Sequence, residues 1–107
     1  MNKILVPTDF SSISDNALDY ACQIAVQMKY EIFLLNIQSL PANDDPSMAV
    51  ELIKTIEESS IERLNEKEKE VLSAYKGLTI TSHFSFGIPS ITIKEYLDTK
   101  TFSMVVI

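Results

Sequence analysis

Cysteine and histidine each occur once in this 107-residue sequence, as Cys22 and His83. One thiol cannot form an internal disulfide, so nothing in the sequence indicates an oxidising compartment. A metal site needs several ligands at suitable spacing, and no such partners accompany the histidine. We therefore expect Cys22 to be a small buried residue, His83 to lie on the surface, and the protein to bind no metal.

Glycine is also scarce, since Gly77 and Gly87 are the only two. The motifs G-x-x-x-x-G-K-[ST] and G-x-G-x-x-G, whose glycines let backbone amides approach phosphates, are absent from the sequence. The nucleophile motif G-x-S-x-G is absent as well. The sequence therefore offers no glycine-rich phosphate loop and no recognisable catalytic residue.

Basic residues are outnumbered, with 9 Lys and Arg against 15 Asp and Glu and a net charge of -6. Nucleic acids and anionic membrane surfaces repel an acidic protein, so we expect neither as a partner. No apolar run approaches the length of about 20 residues that a membrane span needs, and the first residues lack the pattern of a signal peptide. We therefore expect a cytoplasmic protein.

Hydrophobic residues nevertheless make up 46% of the chain, which is enough for a packed core. They alternate between short apolar runs and amphipathic segments, which predicts the order β-α-β-α-β-α-β. The predicted strands are residues 3–6, 31–37, 78–86 and 103–107, and the predicted helices begin near Ser12, Ser47 and Pro89. Such alternation is typical of a parallel sheet with right-handed crossovers, so we predict one α/β domain over residues 1–107.

The apolar positions also predict which faces are buried. In the third strand, apolar and polar residues alternate, which favours a half-exposed strand at a sheet edge. Ile13 and Tyr20 belong to the predicted inward stripe of the first helix, and Ile93 and Leu97 to that of the third. Pro7 is expected to close the first strand.

The fourth strand, residues 103–107, is apolar and carries no charge. An uncovered apolar edge of this kind favours pairing with another chain. Because the sequence supplies nothing after Ile107 to cover this strand, we expect either a truncated chain or a strand covered by another chain. In both cases we expect self-association.

Open parallel sheets bind ligands outside the carboxyl ends of their strands. Thr8 and Asp9 follow the first predicted strand, where the carboxylate can accept hydrogen bonds from a base or ribose and the threonine can add a hydroxyl. Backbone groups near Ile37 can contact the edge of a purine. Alternatively, Asp9 is a turn residue that ties the loop to the first helix, and these residue types alone do not decide between the two roles.

The segment from Ile4 to Ser11 (ILVPTDFS) resembles the opening strand and loop of the universal stress protein family. Four later segments resemble the family in the same order, namely ALDYA at 17–21, LLNI at 34–37, GIP at 87–89 and MVVI at 104–107. The resemblance implies a three-layer, open parallel sheet of the adenine nucleotide α-hydrolase-like (flavodoxin-like) type. It also implies the strand order 3-2-1-4 and a homodimer.

Some members of that family bind ATP and others do not. In the binders, the residues matching Asp9 and Ile37 lie beside the adenosine, and we take the nucleotide-binding set as Pro7, Thr8, Asp9, Ile37 and Gly87. Their phosphates lie on a G-x-x-G and G-[ST] motif directly after the fourth strand, and this sequence ends before such a motif. We therefore expect ATP or AMP to bind weakly here and to be a candidate ligand of a full-length parent.

The resemblance implies a non-enzymatic regulatory module of the stress response, with a partial adenine-nucleotide site and self-association. One alternative is an interaction module without nucleotide binding, and another is a nucleotide-hydrolysing enzyme of the same superfamily. Nucleotidyl-transfer members of that superfamily use paired histidines, and pyrophosphatase members use S-G-G-x-D-S after the first strand. Because neither pattern is present, we expect no enzyme activity.

Overall fold

A computed structural model describes residues 2–42, 44–99 and 102–107, except for the side chain of residue 99. Within them, strands and helices alternate as predicted. The elements are β1 (Lys3–Thr8), α1 (Ser12–Met28), β2 (Glu31–Gln38), α2 (Pro46–Ala74), β3 (Thr79–Phe86), α3 (Pro89–Thr99) and β4 (Met104–Val105). None of the helices in these described residues is long and apolar enough to cross a membrane.

The four strands form one parallel sheet in the order β3-β2-β1-β4, which confirms the predicted order. Residue Lys3 of β1 pairs with Glu31 of β2, and Glu31 in turn pairs with Thr79 of β3. The third strand is an edge strand, as predicted. With α1 and α2 on one face and α3 on the other, the fold is three-layered.

The main core lies between the sheet and the α1–α2 layer. Strand residues Ile4, Val6 and Leu34 are fully buried there, and Leu64 of α2 packs against the same cluster. Cys22 of α1 belongs to this core and is fully buried, as predicted. Loss of hydration and the nearby negative charge of Asp19 raise the pKa of its thiol to about 11.

The predicted inward stripe of α1 is only partly correct. Ile13 and Tyr20 are 78% and 60% exposed. The helix instead contacts the sheet along a narrower line of mostly small side chains, which are Leu18, Ala21, Cys22 and Ala25. Small residues let the helix axis approach the sheet closely, so the outer apolar positions rotate away from the core.

In α3 the prediction for Leu97 was wrong, because this side chain is 41% exposed. Ile93 is half-buried, as predicted, but among the described side chains of this helix it is Thr92 that is buried. Thr92 packs against the turn at Gly87, where its hydroxyl oxygen lies beside the glycine Cα. The prediction of inward-facing residues used apolar positions only, so it could not identify the polar Thr92.

Pro7 does not close β1, because the strand continues to Thr8. The backbone of Leu5 faces β4, where its carbonyl accepts from the amide of Val106 at 3.0 Å. The backbone of Pro7 faces the same way, since strand residues alternate sides, but proline has no N–H to donate. The β1–β4 ladder accordingly stops at Val105, while β1 stays paired with β2 up to Thr8.

Candidate functional site

A cleft of about 260 Å³ lies at the carboxyl ends of β1 and β2. Four of the five residues predicted for the site line it, namely Pro7, Thr8, Asp9 and Ile37. The prediction missed the remaining lining residues, which are Ser14, Leu35, Pro89, Ile93 and Ile107. Ser14 and Ile93 come from helices, and which helical residues face a cleft depends on how each helix is rotated against the sheet.

Asp9 is fixed by the start of α1. Its Oδ1 accepts hydrogen bonds from the backbone amide of Ser11 at 2.9 Å and from the hydroxyl of Ser14 at 2.7 Å. These bonds from Ser11 and Ser14 lower the pKa of the exposed carboxyl to about 2. The turn role therefore exists in the structure, and it holds a carboxylate that is charged at neutral pH at the wall of the cleft.

Thr8 also uses its side chain within the loop. Its hydroxyl accepts a hydrogen bond from the amide of Phe10 at 3.0 Å. That bond supports a left-handed backbone at Phe10, where φ is 65°, a conformation that costs free energy in a residue with a side chain. The guanidinium of Arg63 on α2 lies 4.3 Å from the centroid of the Phe10 ring, which packs against the main core.

Asn36 is a buried polar residue that the site prediction missed. Its Nδ2 donates to the carbonyl of Thr8 at 2.8 Å, and its Oδ1 accepts from Nε2 of Gln38 at 3.3 Å. The side chain is fully buried, so this bond ties the end of β1 to the end of β2. The sequence signal for this residue was an asparagine within the otherwise apolar strand segment EIFLLNI. An amide buried there needs a specific hydrogen-bond partner.

The remaining wall of the cleft is apolar. Leu35 and Ile37 come from β2, and Pro89 and Ile93 from α3. No lysine, arginine or histidine is among the described lining residues, and Asp9 adds a negative charge. The arrangement suits a flat, neutral ring between apolar side chains, with hydroxyl groups directed to the carboxylate.

Gly87 lies next to the cleft but is not part of its lining. Its amide donates to the carbonyl of Gln38 at 2.9 Å. A Cβ added at this position would lie 2.4 Å from Oγ1 of Thr92, so the glycine is needed for the close approach of the turn to α3. Pro89 and Ile93, which follow the turn in α3, line the cleft.

His83 is exposed on β3, as predicted, and its ring lies near the rings of Phe33 and Tyr96. In the described part of the chain, no cluster of His, Cys, Asp or Glu could hold a metal ion. The cleft is the candidate site because it brings together four of the five predicted residues.

The model of the universal stress protein family matches residues 1–107. The chain belongs to this family. No curated protein sequence matches the chain significantly. This family member is nevertheless similar in fold to several solved structures, all less than 25% identical to it.

The universal stress protein UspA from Lactobacillus plantarum is 21% identical, with a TM-score of 0.83 over 98% of this chain and 74% of that protein. The hypothetical protein MJ0577 is 24% identical, with a TM-score of 0.80 over 98% and 73%. A universal stress protein in complex with cAMP is 19% identical, with a TM-score of 0.65 over 99% and 75%. These similarities confirm the predicted fold.

Proposed function

We propose that this family member is a non-enzymatic regulatory module of the stress response, acting in the cytoplasm, whose cleft holds the adenosine part of an adenine nucleotide. The observation that carries the proposal is the position of Asp9 beside an apolar slot that includes Ile37 and Ile93. A fixed carboxylate accepts hydrogen bonds from ribose hydroxyls, and apolar side chains pack on a purine. The related structure with bound cAMP supports an adenine ligand.

Phosphate groups gain little in this cleft. Its described lining has no cation, and the pKa of Asp9, about 2, keeps that carboxylate charged at neutral pH. Each charge-assisted hydrogen bond to phosphate contributes about 1.5–3 kcal/mol, whether the donor is a cationic side chain or a backbone amide, and the described lining has no cationic side chain to donate one. We therefore expect this chain to bind ATP with a Kd weaker than about 1 mM.

Nuclear magnetic resonance is suited to such weak binding. Titration of the labelled chain with adenosine, AMP and ATP should shift the signals of Asp9, Ile37 and Ile93 in all three cases. We expect AMP and ATP to bind no more tightly than adenosine, because the phosphates add no favourable contact and the charge of Asp9 repels them. No shift at the cleft for any of them would contradict adenosine binding, and a micromolar affinity for ATP would contradict the weak site.

The absence of enzyme activity is part of the proposal. General acid–base catalysis works best with a pKa near the operating pH, whereas the pKa of Asp9 is about 2. His83 lies on β3, outside the cleft lining. We expect ATP to remain intact when incubated with the chain, at the rate seen in buffer alone, and hydrolysis lost in Asp9→Asn would contradict this part.

An interaction module without nucleotide binding is the second candidate. It is favoured by the hydrogen bonds inside the loop, because the Thr8 hydroxyl and Oδ1 of Asp9 already have partners. The nucleotide titration separates the two candidates, since only the first predicts shifts at the cleft.

We also propose self-association through exposed apolar residues of α1 and β4, among them Ile13 and Met104, which line one shallow surface.

A further inference from the structure

The outer edge of β3 is unprotected. Among the described residues, this strand is hydrogen-bonded to β2 alone. Its sequence TITSHFSF contains no proline, lysine or acidic residue, although such residues usually protect an edge from pairing with another chain. The strand is eight residues long, which is long enough to pair with an added strand.

The hydrogen bonds between β2 and β3 show which backbone groups of β3 face outward. The carbonyl of Gln38 on β2 accepts from the amide of Gly87, so the odd-numbered residues of β3 direct their backbone groups to β2. The even-numbered residues Ile80, Ser82 and Phe84 therefore direct their amides and carbonyls outward. These groups are available as donors and acceptors for an added strand.

A groove runs beside this edge. It has a volume of about 330 Å³, and Ser82, His83 and Phe84 form one side of it. The other side comes from α2, with Glu57, Ile61, Leu64 and Asn65. A contiguous depression shares Ile61 and Asn65 and adds Glu58, Glu62, Glu66 and Lys69.

Two cations of α2 lie on a different side of the helix from the groove. Arg63 lies over the ring of Phe10, and Lys67 forms ion pairs with Asp15 of α1 at 3.0 Å and with Glu70 at 3.3 Å. These two cations therefore face α1 or its preceding loop. The side along the groove carries four glutamates, Glu57, Glu58, Glu62 and Glu66, against one lysine, Lys69.

We propose that the β3 edge and the acidic groove along α2 bind an extended, basic peptide segment of a partner protein by strand addition. The peptide backbone pairs with Ile80, Ser82 and Phe84, and its cationic side chains meet the glutamates of α2. Side chains of a strand alternate between faces, so the preferred segment has lysine or arginine at every second position. This surface shares no residue with the cleft and does not rest on nucleotide binding.

A second copy of this chain fits the edge less well. Antiparallel pairing of two β3 strands would place the two α2 helices next to each other on the same face of a continuous sheet. Their glutamates would then repel, because like charges at close distance oppose association. The charge of the groove thus favours a basic partner over self-pairing.

Binding can be measured by fluorescence anisotropy with a labelled peptide of alternating lysine and threonine, about eight residues long to match the strand. One control peptide has glutamate in place of lysine, and another has the same composition with the lysines consecutive. We expect the alternating peptide to bind best, with an affinity that falls as salt is added. Amide signals of Ile80, Ser82 and Phe84 should shift, while those of the cleft should not.

Two sets of variants test the two halves of the surface. Ser82→Pro removes one outward amide without touching the β2 ladder and should weaken binding about tenfold, whereas Ser82→Ala keeps the amide and should bind like the original chain. Glu57→Gln with Glu62→Gln should weaken binding about threefold to tenfold. The matched control, Asp44→Asn with Asp98→Asn, makes the same change in net charge at two exposed residues that line neither the groove nor the depression and should have no effect.

Three results would overturn the proposal. The first is equal binding of the lysine and glutamate peptides. The second is unchanged binding in both Ser82→Pro and the Glu57 and Glu62 variant, with circular dichroism confirming that each is folded. The third is a dimer of the original chain that Ser82→Pro converts to a monomer, which would make a second copy the occupant of this edge.

Discussion

At the scale of single residues, Asp9 and Thr8 combine two roles in the loop after β1. Their oxygens accept hydrogen bonds from the amides of Ser11 and Phe10, and both residues line the cleft. A loop held in this way is preorganised, which lowers the entropic cost of binding a ligand. The same hydrogen bonds make the loop sensitive to the charge of Asp9.

The first prediction concerns the pH dependence of stability at Asp9. The pKa of about 2 in the folded chain lies below the ordinary value of 3.8, so the carboxylate stabilises the fold above about pH 4. This contribution is lost as the pH falls toward 2. Because solvent screens this exposed group, we expect Asp9→Asn to lower the free energy of unfolding at pH 7 by only about 0.5 kcal/mol.

Urea unfolding at pH 7 and near pH 2 measures this effect. The difference between the original chain and Asp9→Asn should shrink at the acidic pH, while Asp98→Asn on α3 serves as a control in an exposed aspartate. A difference that stays constant between the two pH values would show that the charge of Asp9 does not stabilise the loop.

At the scale of elements, the turn from β3 into α3 decides where the apolar wall of the cleft lies. Gly87 is the pivot of this turn, because its amide bonds to Gln38 and its missing side chain leaves room for Thr92. Pro89 and Ile93 follow within the same helix and line the cleft. A change in the turn should therefore alter the positions of Pro89 and Ile93 and so the shape of the cleft.

The second prediction is that Gly87→Ala destabilises the fold by about 1–3 kcal/mol, because the added Cβ would overlap Oγ1 of Thr92 at 2.4 Å. Removing that oxygen with Thr92→Ala should make the same glycine substitution less costly. Chemical denaturation of the original chain, the two single variants and the double variant gives the coupling free energy between the two positions. Independent, additive effects would contradict the proposed contact.

The positions of the elements were more predictable than their contacts. Buried strands such as EIFLLNI stand out because both faces are apolar, so the sequence predicted where β2 lies to within a residue. The inward faces of α1 and α3 were partly wrong, at Ile13, Tyr20 and Leu97, because many apolar positions share the helical spacing and tertiary packing selects among them.

In the candidate site as well, residues at strand ends were predictable from the sequence and residues on helices were not. Pro7, Thr8, Asp9 and Ile37 were predictable, since parallel strands all end at the same side of a sheet. Ser14 and Ile93 were not, because their approach to the cleft depends on the rotation of two helices.

At the scale of the whole molecule, one surface combines the outer side of α1 with β4. Ile13 is 78% exposed, Tyr20 60% and Ile107 83%, and all three line the same shallow depression with Met104. Contiguous exposed apolar side chains often mark a site of protein association. This surface lies opposite the β3 edge in the sheet order.

The third prediction is that Ile13→Glu weakens self-association of the chain about tenfold, because the substitution places a charge within this apolar surface. Sedimentation velocity at several concentrations measures the effect. Val50→Glu on α2 is the matched control, since Val50 is also exposed but lies outside this surface. A monomer at all concentrations before any substitution would contradict self-association.

The buried thiol of Cys22 can report how often the fold opens, because a reagent reaches it only when the core is exposed. With a pKa of about 11 and no solvent exposure, Cys22 is both sheltered from reagents and almost entirely in the uncharged thiol form at neutral pH. Alkylation by iodoacetamide should therefore proceed only through rare excursions in which α1 leaves the sheet. Mass spectrometry of the labelled fraction over time would then follow those excursions in the unmodified sequence, and rapid labelling under native conditions would mean that α1 detaches readily.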